Sequence, residues 1–132
     1  MAKINEWLSE QIEESGKSQA QIAREVGIDN ENVTRWIKGV HEPSGFFLKI
    51  LLDYFNYEIR IDGKPYGMDE LGRYTDEQKK KRNIYRSEIS KELGKYPCYI
   101  EKLILNGTLV RYSKFEEVVN AYGGKVEICR KK

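Results

Sequence analysis

The sequence predicts a mostly α-helical protein made of two tandem units, each of which ends in a short β-strand. Three observations lead to this fold class. Apolar residues and glycines recur at a separation of 67 positions, apolar residues follow the spacing of short amphipathic helices, and an alternating segment follows each set of helices. The predicted boundaries are residues 1–62 for the first unit, 63–73 for a linker and 74–132 for the second unit.

The two halves of the sequence align without a gap when one is shifted by 67 positions. Ile22 then falls on Ile89, and Gly27 falls on Gly94. Other apolar pairs are Val26 with Leu93, Val33 with Ile100, Trp36 with Leu103, Leu48 with Phe115, and Leu51 with Val118. Because this register holds over four successive elements, the sequence predicts two copies of one helical unit.

Start and stop signals place four helices in the first unit. Asn5 is predicted to cap the first helix, and Ser18 with Gln21 predicts a capping box at the start of the second. Gly27 ends the second helix with a left-handed residue, and Asp29 caps the third. A fourth helix follows Ser44.

An alternating strand, Tyr57–Ile61, follows these four helices. The second unit repeats the plan, with a second strand at residues 125–129. Its predicted helix signals are the capping pairs Thr75 with Gln78 and Ser113 with Glu116, the stop at Gly94, and Pro97 in a first turn. Each strand requires a partner, because an isolated strand is not stable in water.

Residues 18–44 resemble the helix-turn-helix of the Cro and lambda-repressor family. The positions that carry the resemblance are Gln19, Ala23, Gly27, Val33, Trp36 and Gly39, followed by the family-like sequence of residues 42–44. Ala23 is small where two helices cross, and Gly27 permits positive φ in the tight turn. The resemblance implies lambda-repressor-like units, with the start of the third helix presented to a DNA major groove.

The strand Tyr57–Ile61 also resembles the terminal strand of helix-turn-helix antitoxins and related phage regulators, which pairs between subunits. The presence of two such strands predicts that Tyr57–Ile61 pairs with residues 125–129 in a two-stranded sheet, which makes the chain a pseudo-dimer. The alternative is pairing between two chains, which gives a homodimer with four helix-turn-helix units.

The resemblance assigns candidate DNA contacts by position. In the first unit, Gln19 is expected to reach a phosphate, and polar side chains on the third helix are expected to reach base edges or the backbone. These side chains belong to Asn30, Glu31, Asn32, Thr34, Arg35 and Lys38. In the second unit the leading turn has little to offer a base, so phosphate or groove-wall contacts are expected. The residues are Arg86, Lys95, Tyr96, Tyr99, Lys102 and Arg111.

Composition argues against several other function classes. No catalytic motif is evident, and one histidine with two cysteines, Cys98 and Cys129, does not supply the spacing of a metal site. Both cysteines are expected to be buried or half-buried small apolar residues. No cofactor is expected, no apolar stretch approaches the length of a membrane span, and no secretion signal is present, so a cytoplasmic protein that is not an enzyme is expected.

The leading hypothesis is a sequence-specific DNA-binding transcriptional regulator, a phage or mobile-element repressor that acts by operator occupancy. Its expected partners are double-stranded DNA and, if chains pair, a second copy. Net charge is −3 over residues 1–66 and +5 over residues 67–132, so the second half is the more favourable for a polyanion. The acidic first helix leaves an alternative open. That alternative is a protein-binding inhibitor or antitoxin, for example an anti-defence protein, which also regulates its own promoter.

Overall fold

The structure is a computed structural model that describes residues 3–107 and 110–132. The described residues form eight α-helices and a small antiparallel sheet, and about 61% of them are helical. The helices are α1 (Lys3–Ser15), α2 (Gln19–Val26), α3 (Asn30–Ile37), α4 (Gly45–Phe55), α5 (Leu71–Arg82), α6 (Arg86–Glu92), α7 (Tyr99–Asn106) and α8 (Tyr112–Ala121). The strands are β1 (Tyr57–Ile61), β2 (Lys64–Pro65) and β3 (Val126–Arg130). This confirms the predicted mostly helical fold class. None of the described helices is long and apolar enough to cross a membrane.

Two features of the turns follow directly from the sequence. Gly27 ends α2 at a φ of 74°, and Gly94 follows α6 at a φ of 72°, so both occupy the left-handed region predicted for a helix stop. Ser18 and Asp29 each accept a hydrogen bond from a backbone N–H in the first turn of the helix that follows. These local signals explain where α2 and α3 begin and where α2 ends.

The sheet joins the two halves of the chain. Its strand order is β2-β1-β3, and β1 pairs with β3 antiparallel from Tyr57 opposite Arg130 to Ile61 opposite Val126. The predicted pairing between the two strands within one chain is therefore confirmed. β3 lies one residue later than predicted. The expected two-stranded sheet has a third strand, because the chain turns back after β1 and pairs Arg60 with Pro65.

Two pairings connect residues that are 67 positions apart. Arg60 lies opposite Glu127 in the β1–β3 ladder, and an isolated bridge joins Ser44 to Arg111. Antiparallel pairing of equivalent positions is the register that two similar units adopt around an approximate twofold axis. The register thus supports the predicted repeat, although the duplication itself stays a prediction.

One hydrophobic core extends through both halves. Its centre includes Ile61, Phe115 and Val118, which are fully or almost fully buried. Tyr74 packs edge-on against both Tyr66 and Tyr122, with ring centroids 5.7 Å apart in each pair. Because buried residues of both halves share this core, side-chain packing joins the halves as well as the sheet.

Residues 63–73, predicted as a linker, contain β2 and the first three residues of α5. Tyr66, Met68 and Leu71 within this segment are buried. These apolar residues pack onto the core, and the predicted boundaries of the two units and the linker stay a prediction.

Three predicted caps are wrong. Asn5 lies inside α1, Thr75 lies inside α5, and Ser113 is the second residue of α8. In each case the helix begins before the predicted position. At α8 the backbone N–H of Ser113 donates instead to the Glu42 carboxylate of the first half at 3.0 Å. A distant residue supplies the acceptor that local sequence was expected to supply.

Candidate nucleic-acid interface

Helices α2 and α3 form a packed pair whose inner faces are apolar. Ile22 and Ala23 of α2 and Val33 and Trp36 of α3 are at most 2% exposed. Ala23 leaves room for α3 to approach, and the left-handed Gly27 makes the sharp reversal between the helices possible. Burial of one face fixes which side chains of α3 remain outside.

The outward row of α3 is polar. Asn30, Glu31, Arg35 and Lys38 are exposed, while Asn32 and Thr34 are half-buried. These six residues are the α3 candidates predicted from sequence, and none of them is buried beneath another part of the described chain. Asparagine can form a bidentate pair with adenine, and arginine or lysine can reach guanine or phosphate. The row therefore has the chemistry required to contact base edges.

Gln19 connects this row to α2. Its Nε2 donates to Asn30 Oδ1 at 2.9 Å and also contacts Thr34 Oγ1. Thr34 Oγ1 in turn donates to the Asn30 carbonyl at 3.0 Å. The first residue of α2 thereby restricts the rotamers of two residues on α3, which reduces the conformational entropy that would be lost on binding.

Two weaker contacts position Arg35. Its guanidinium lies 3.7 Å from the Glu31 carboxylate and 3.5 Å from Asn32 Oδ1. Both separations are long, and both residues of the ion pair are exposed, so the interaction is weak and the arginine is free to exchange partners. Arg35 can therefore leave Glu31 for a stronger anion.

Asn5, the residue wrongly predicted as a cap, forms a hydrogen bond to the C-terminal end of α3. It is 2% exposed, and its Nδ2 donates to the carbonyls of Trp36 at 2.6 Å and His41 at 3.2 Å. The Trp36 carbonyl belongs to the last turn of α3, where backbone acceptors lack partners within the helix. A buried polar residue in an amphipathic helix was the only sequence signal for this role.

An ion pair between Lys17, which precedes α2, and Glu25, near the end of α2, ties this helix to Tyr54 of α4. Lys17 Nζ contacts Glu25 Oε1 at 3.0 Å and Tyr54 Oη at 3.1 Å. The hydrogen bonds to Tyr54 and Glu25 raise the pKa of Lys17, and the bond from Lys17 lowers the pKa of Glu25. All three side chains retain solvent access, so the cluster orients α2 without contributing much stability.

The candidate contacts of the second unit are more dispersed. Arg86 donates to Thr75 Oγ1 at 2.9 Å, to Asp76 at 2.8 Å and to the Gly72 carbonyl at 3.3 Å, so its guanidinium is engaged with α5. Arg111 donates to the Glu42 carbonyl at 3.1 Å and lies at the junction of the halves. These arginines have structural contacts that sequence reading did not anticipate.

The remaining four candidates lie around α7. Tyr96 and Lys102 are exposed, while Tyr99 is half-buried and lies under the ammonium of Lys95, 5.5 Å from its ring centroid. The prediction that they contact DNA stays a prediction.

The described residues contain no cluster of histidine, cysteine, aspartate or glutamate able to hold a metal ion. Both cysteines are free thiols. Cys129 is half-buried as expected, whereas Cys98 is exposed, because the turn before α7 leaves its side chain outside the core.

Comparison with known families agrees with the geometry of the first half. The Cro/C1-type helix-turn-helix family model matches residues 8–61, which run from within α1 to the end of β1. No curated protein and no solved structure matches the chain. The family match supports a sequence-specific DNA-binding regulator, and it covers the segment in which α2, α3 and Gln19 were described.

Proposed function

We propose that the protein is a transcriptional repressor of phage or mobile-element type, which binds a specific operator through α3 and thereby excludes RNA polymerase. The observation that carries this proposal is the polar row on α3, whose residues are exposed or half-buried and which is organised by the hydrogen bond from Gln19 to Asn30. A helix face that is only solvated would not require the buried Asn5 amide bonded to one end of α3 and the Gln19 side chain bonded to the other.

The proposed division of labour follows from the position of each residue. Gln19 and the N-terminus of α2 contact a phosphate, which sets the register of the protein on the duplex. Asn30 and Asn32, on the leading turn of α3, read base edges in the major groove. Arg35 and Lys38, one and two turns further along, contact guanine or the backbone.

The second half has a supporting role in this proposal. It completes the sheet and buries the apolar side of the first half, so that α1–α4 are held in one arrangement. In and just before α7 it exposes Tyr96, Cys98 and Leu105, whereas the first half exposes polar side chains in and around α3. Base reading is therefore assigned to α3 alone.

The proposal is tested by selecting bound fragments from a random pool of duplex DNA with the full chain. We expect enrichment of a defined motif, and we expect the Asn30→Ala/Asn32→Ala variant to enrich a different or degenerate one. Lys125→Ala, at an exposed position distant in sequence from α3, is the matched control and should return the parent motif. Absence of any enriched motif with the folded parent protein would contradict the proposal.

A second candidate function, that of a protein-binding inhibitor or antitoxin, rests on α1. Four of its carboxylates, those of Glu6, Glu10, Glu13 and Glu14, are exposed. Charge reversal at Glu10 and Glu13 distinguishes the two functions. A repressor acting through α3 keeps its operator affinity and its repression of a reporter in such a variant, whereas an inhibitor loses the activity that depends on its protein target.

A further inference from the structure

The outward face of α7 differs in chemistry from that of α3. Among the described residues, large apolar side chains are strongly exposed at Tyr96 (82%) and Leu105 (85%), on either side of the exposed Cys98. At the equivalent positions, 67 residues earlier, the chain carries Asp29, Lys38 and Glu31. A surface on which polar residues are replaced by Tyr, Cys and Leu is suited to apolar contact rather than to water or base edges.

The geometry of an α-helix places the side chains of Cys98 and Leu105 in one narrow line, which we call the seam. Cys98 and Leu105 are seven residues apart, or about two turns, so they lie on one line along α7. Ile100 is fully buried on the opposite side. At 100° per residue, Glu101 and Lys102 flank the seam on opposite sides, and both are exposed.

This charge arrangement is complementary to itself in one orientation. When two copies of α7 lie side by side in parallel around a twofold axis, Leu105 meets Leu105, Cys98 meets Cys98, and each Glu101 meets Lys102 of the other copy. In the antiparallel orientation the same twofold symmetry brings Glu101 to Glu101 and Lys102 to Lys102, which is repulsive. The charges of Glu101 and Lys102 therefore favour pairing with a second copy of α7 in the parallel orientation.

We propose that the outward face of α7, formed by its N-cap residue Cys98 and by Glu101, Lys102 and Leu105, docks a parallel α7 from a second copy of this chain. This interface is separate from the β1–β3 ladder, which is completed within one chain. The dimer carries two copies of α3 and so places two equivalent reading helices on DNA. Because α7 has only eight residues, the contact is smaller than the roughly 1,600 Å² of a typical stable interface, and dimerisation depends on protein concentration.

A charge-swap experiment tests the proposal. Sedimentation equilibrium of the full chain is measured over a range of concentrations for the parent, Lys102→Glu, and Glu101→Lys/Lys102→Glu. We expect the single variant to weaken association on the order of tenfold and the double variant to restore it. Leu105→Lys should also weaken association, while Val40→Lys, at a position 67% exposed in the first half, is the matched control and should not.

Thiol cross-linking reports the orientation. In a Cys129→Ser background, a mild added oxidant accepts two electrons and two protons as two Cys98 thiols form one disulfide between chains. We expect rapid cross-linking that the Lys102→Glu substitution slows. The side chains substituted at Val40, Glu101, Lys102 and Leu105 are exposed, Cys129 is half-buried, and unchanged melting temperatures verify that each variant folds.

Three outcomes overturn the proposal. The first is a parent chain that remains monomeric at every concentration. The second is a double charge swap that fails to restore association. The third is cross-linking of Cys98 that is equally fast in the parent and in Lys102→Glu. Loss of DNA affinity in monomeric Lys102→Glu, without a change in association, would assign this face to the DNA backbone instead.

Discussion

The side-chain amide of Gln19, the first residue of α2, donates a hydrogen bond to the side chain of Asn30, the first residue of α3, across 2.9 Å. In the proposed mode of binding, Gln19 contacts a phosphate and Asn30 contacts a base. On that proposal the bond links the contact that sets register on the DNA backbone to a contact that reads sequence.

Removal of this bridge should weaken DNA binding more than it weakens the fold. Gln19→Ala deletes the expected phosphate contact and frees Asn30, so we expect operator affinity to fall on the order of tenfold. The bond is exposed, so the free energy of unfolding should change by less than about 1 kcal/mol. Fluorescence anisotropy and urea unfolding measure the two quantities. Gln21→Ala, two residues along α2, is the control, and an equal loss of affinity there would refute a special role for Gln19.

Asn5 is expected to control the stability of α3 from a distance. Asn5→Ala removes the side-chain donor to the His41 carbonyl and leaves the Trp36 carbonyl with the backbone N–H of Gly39 alone, so the free energy of unfolding should fall by about 1–3 kcal/mol. Hydrogen exchange should accelerate at the C-terminal end of α3. The exposed neighbour Glu6→Ala is the control. Unchanged exchange in α3 of the Asn5 variant would show that this anchor is unimportant.

Arg86 is expected to affect stability. Its three protein acceptors all lie on α5, so Arg86→Ala should lower the free energy of unfolding by about 1–2 kcal/mol. From the sequence alone, Arg86 is instead assigned to the DNA backbone. If Arg86 contacts a phosphate, the DNA affinity of Arg86→Ala should depend less steeply on salt concentration than that of the parent. Urea unfolding and a salt titration of DNA binding separate the two roles. An unchanged unfolding free energy with a reduced salt slope would favour the backbone contact.

The buried tyrosines predict instability in alkaline solution. Burial raises the pKa of Tyr74 and of Tyr122 to about 12, above the ordinary value of 10.0. Since the folded pKa is the higher one, the neutral hydroxyls contribute stability below about pH 10, and this contribution is lost as pH rises toward 12. The Tyr122 hydroxyl is buried without a hydrogen-bond partner among the described residues.

Tyr122→Phe tests this directly, because it removes an ionisable group and no hydrogen bond seen in the structure. We expect the variant to be at least as stable as the parent at neutral pH and to unfold at a higher pH. Circular dichroism measured between about pH 9 and 12 records the transition. An identical alkaline midpoint in both proteins would mean that ionisation of Tyr122 does not limit the fold.

Elements with local determinants could be predicted from the sequence. The bounds of β1, the left-handed glycines after α2 and α6, and the cap at Asp29 each depend on a few adjacent residues. The pairing of β1 with β3 also followed, because two isolated strands of similar pattern each require a partner.

The errors occurred where a distant residue competes with a local signal. Ser113 resembles a cap, but its backbone N–H bonds to Glu42, 71 positions earlier in the chain. Asn5 resembles a cap, but its amide turns inward to the end of α3. β2 was missed because two residues are too short for a periodic pattern, and their pairing with β1 is tertiary.

The central claim, that α3 reads base edges, is tested most directly by a base-by-base comparison of the parent with Asn32→Ala. Binding free energy is measured for the selected operator and for every single base-pair substitution in it. We predict that the variant loses about 1–3 kcal/mol of discrimination at one base pair and keeps the parent's preferences elsewhere. A uniform loss of affinity with unchanged preferences at every base pair would contradict the account.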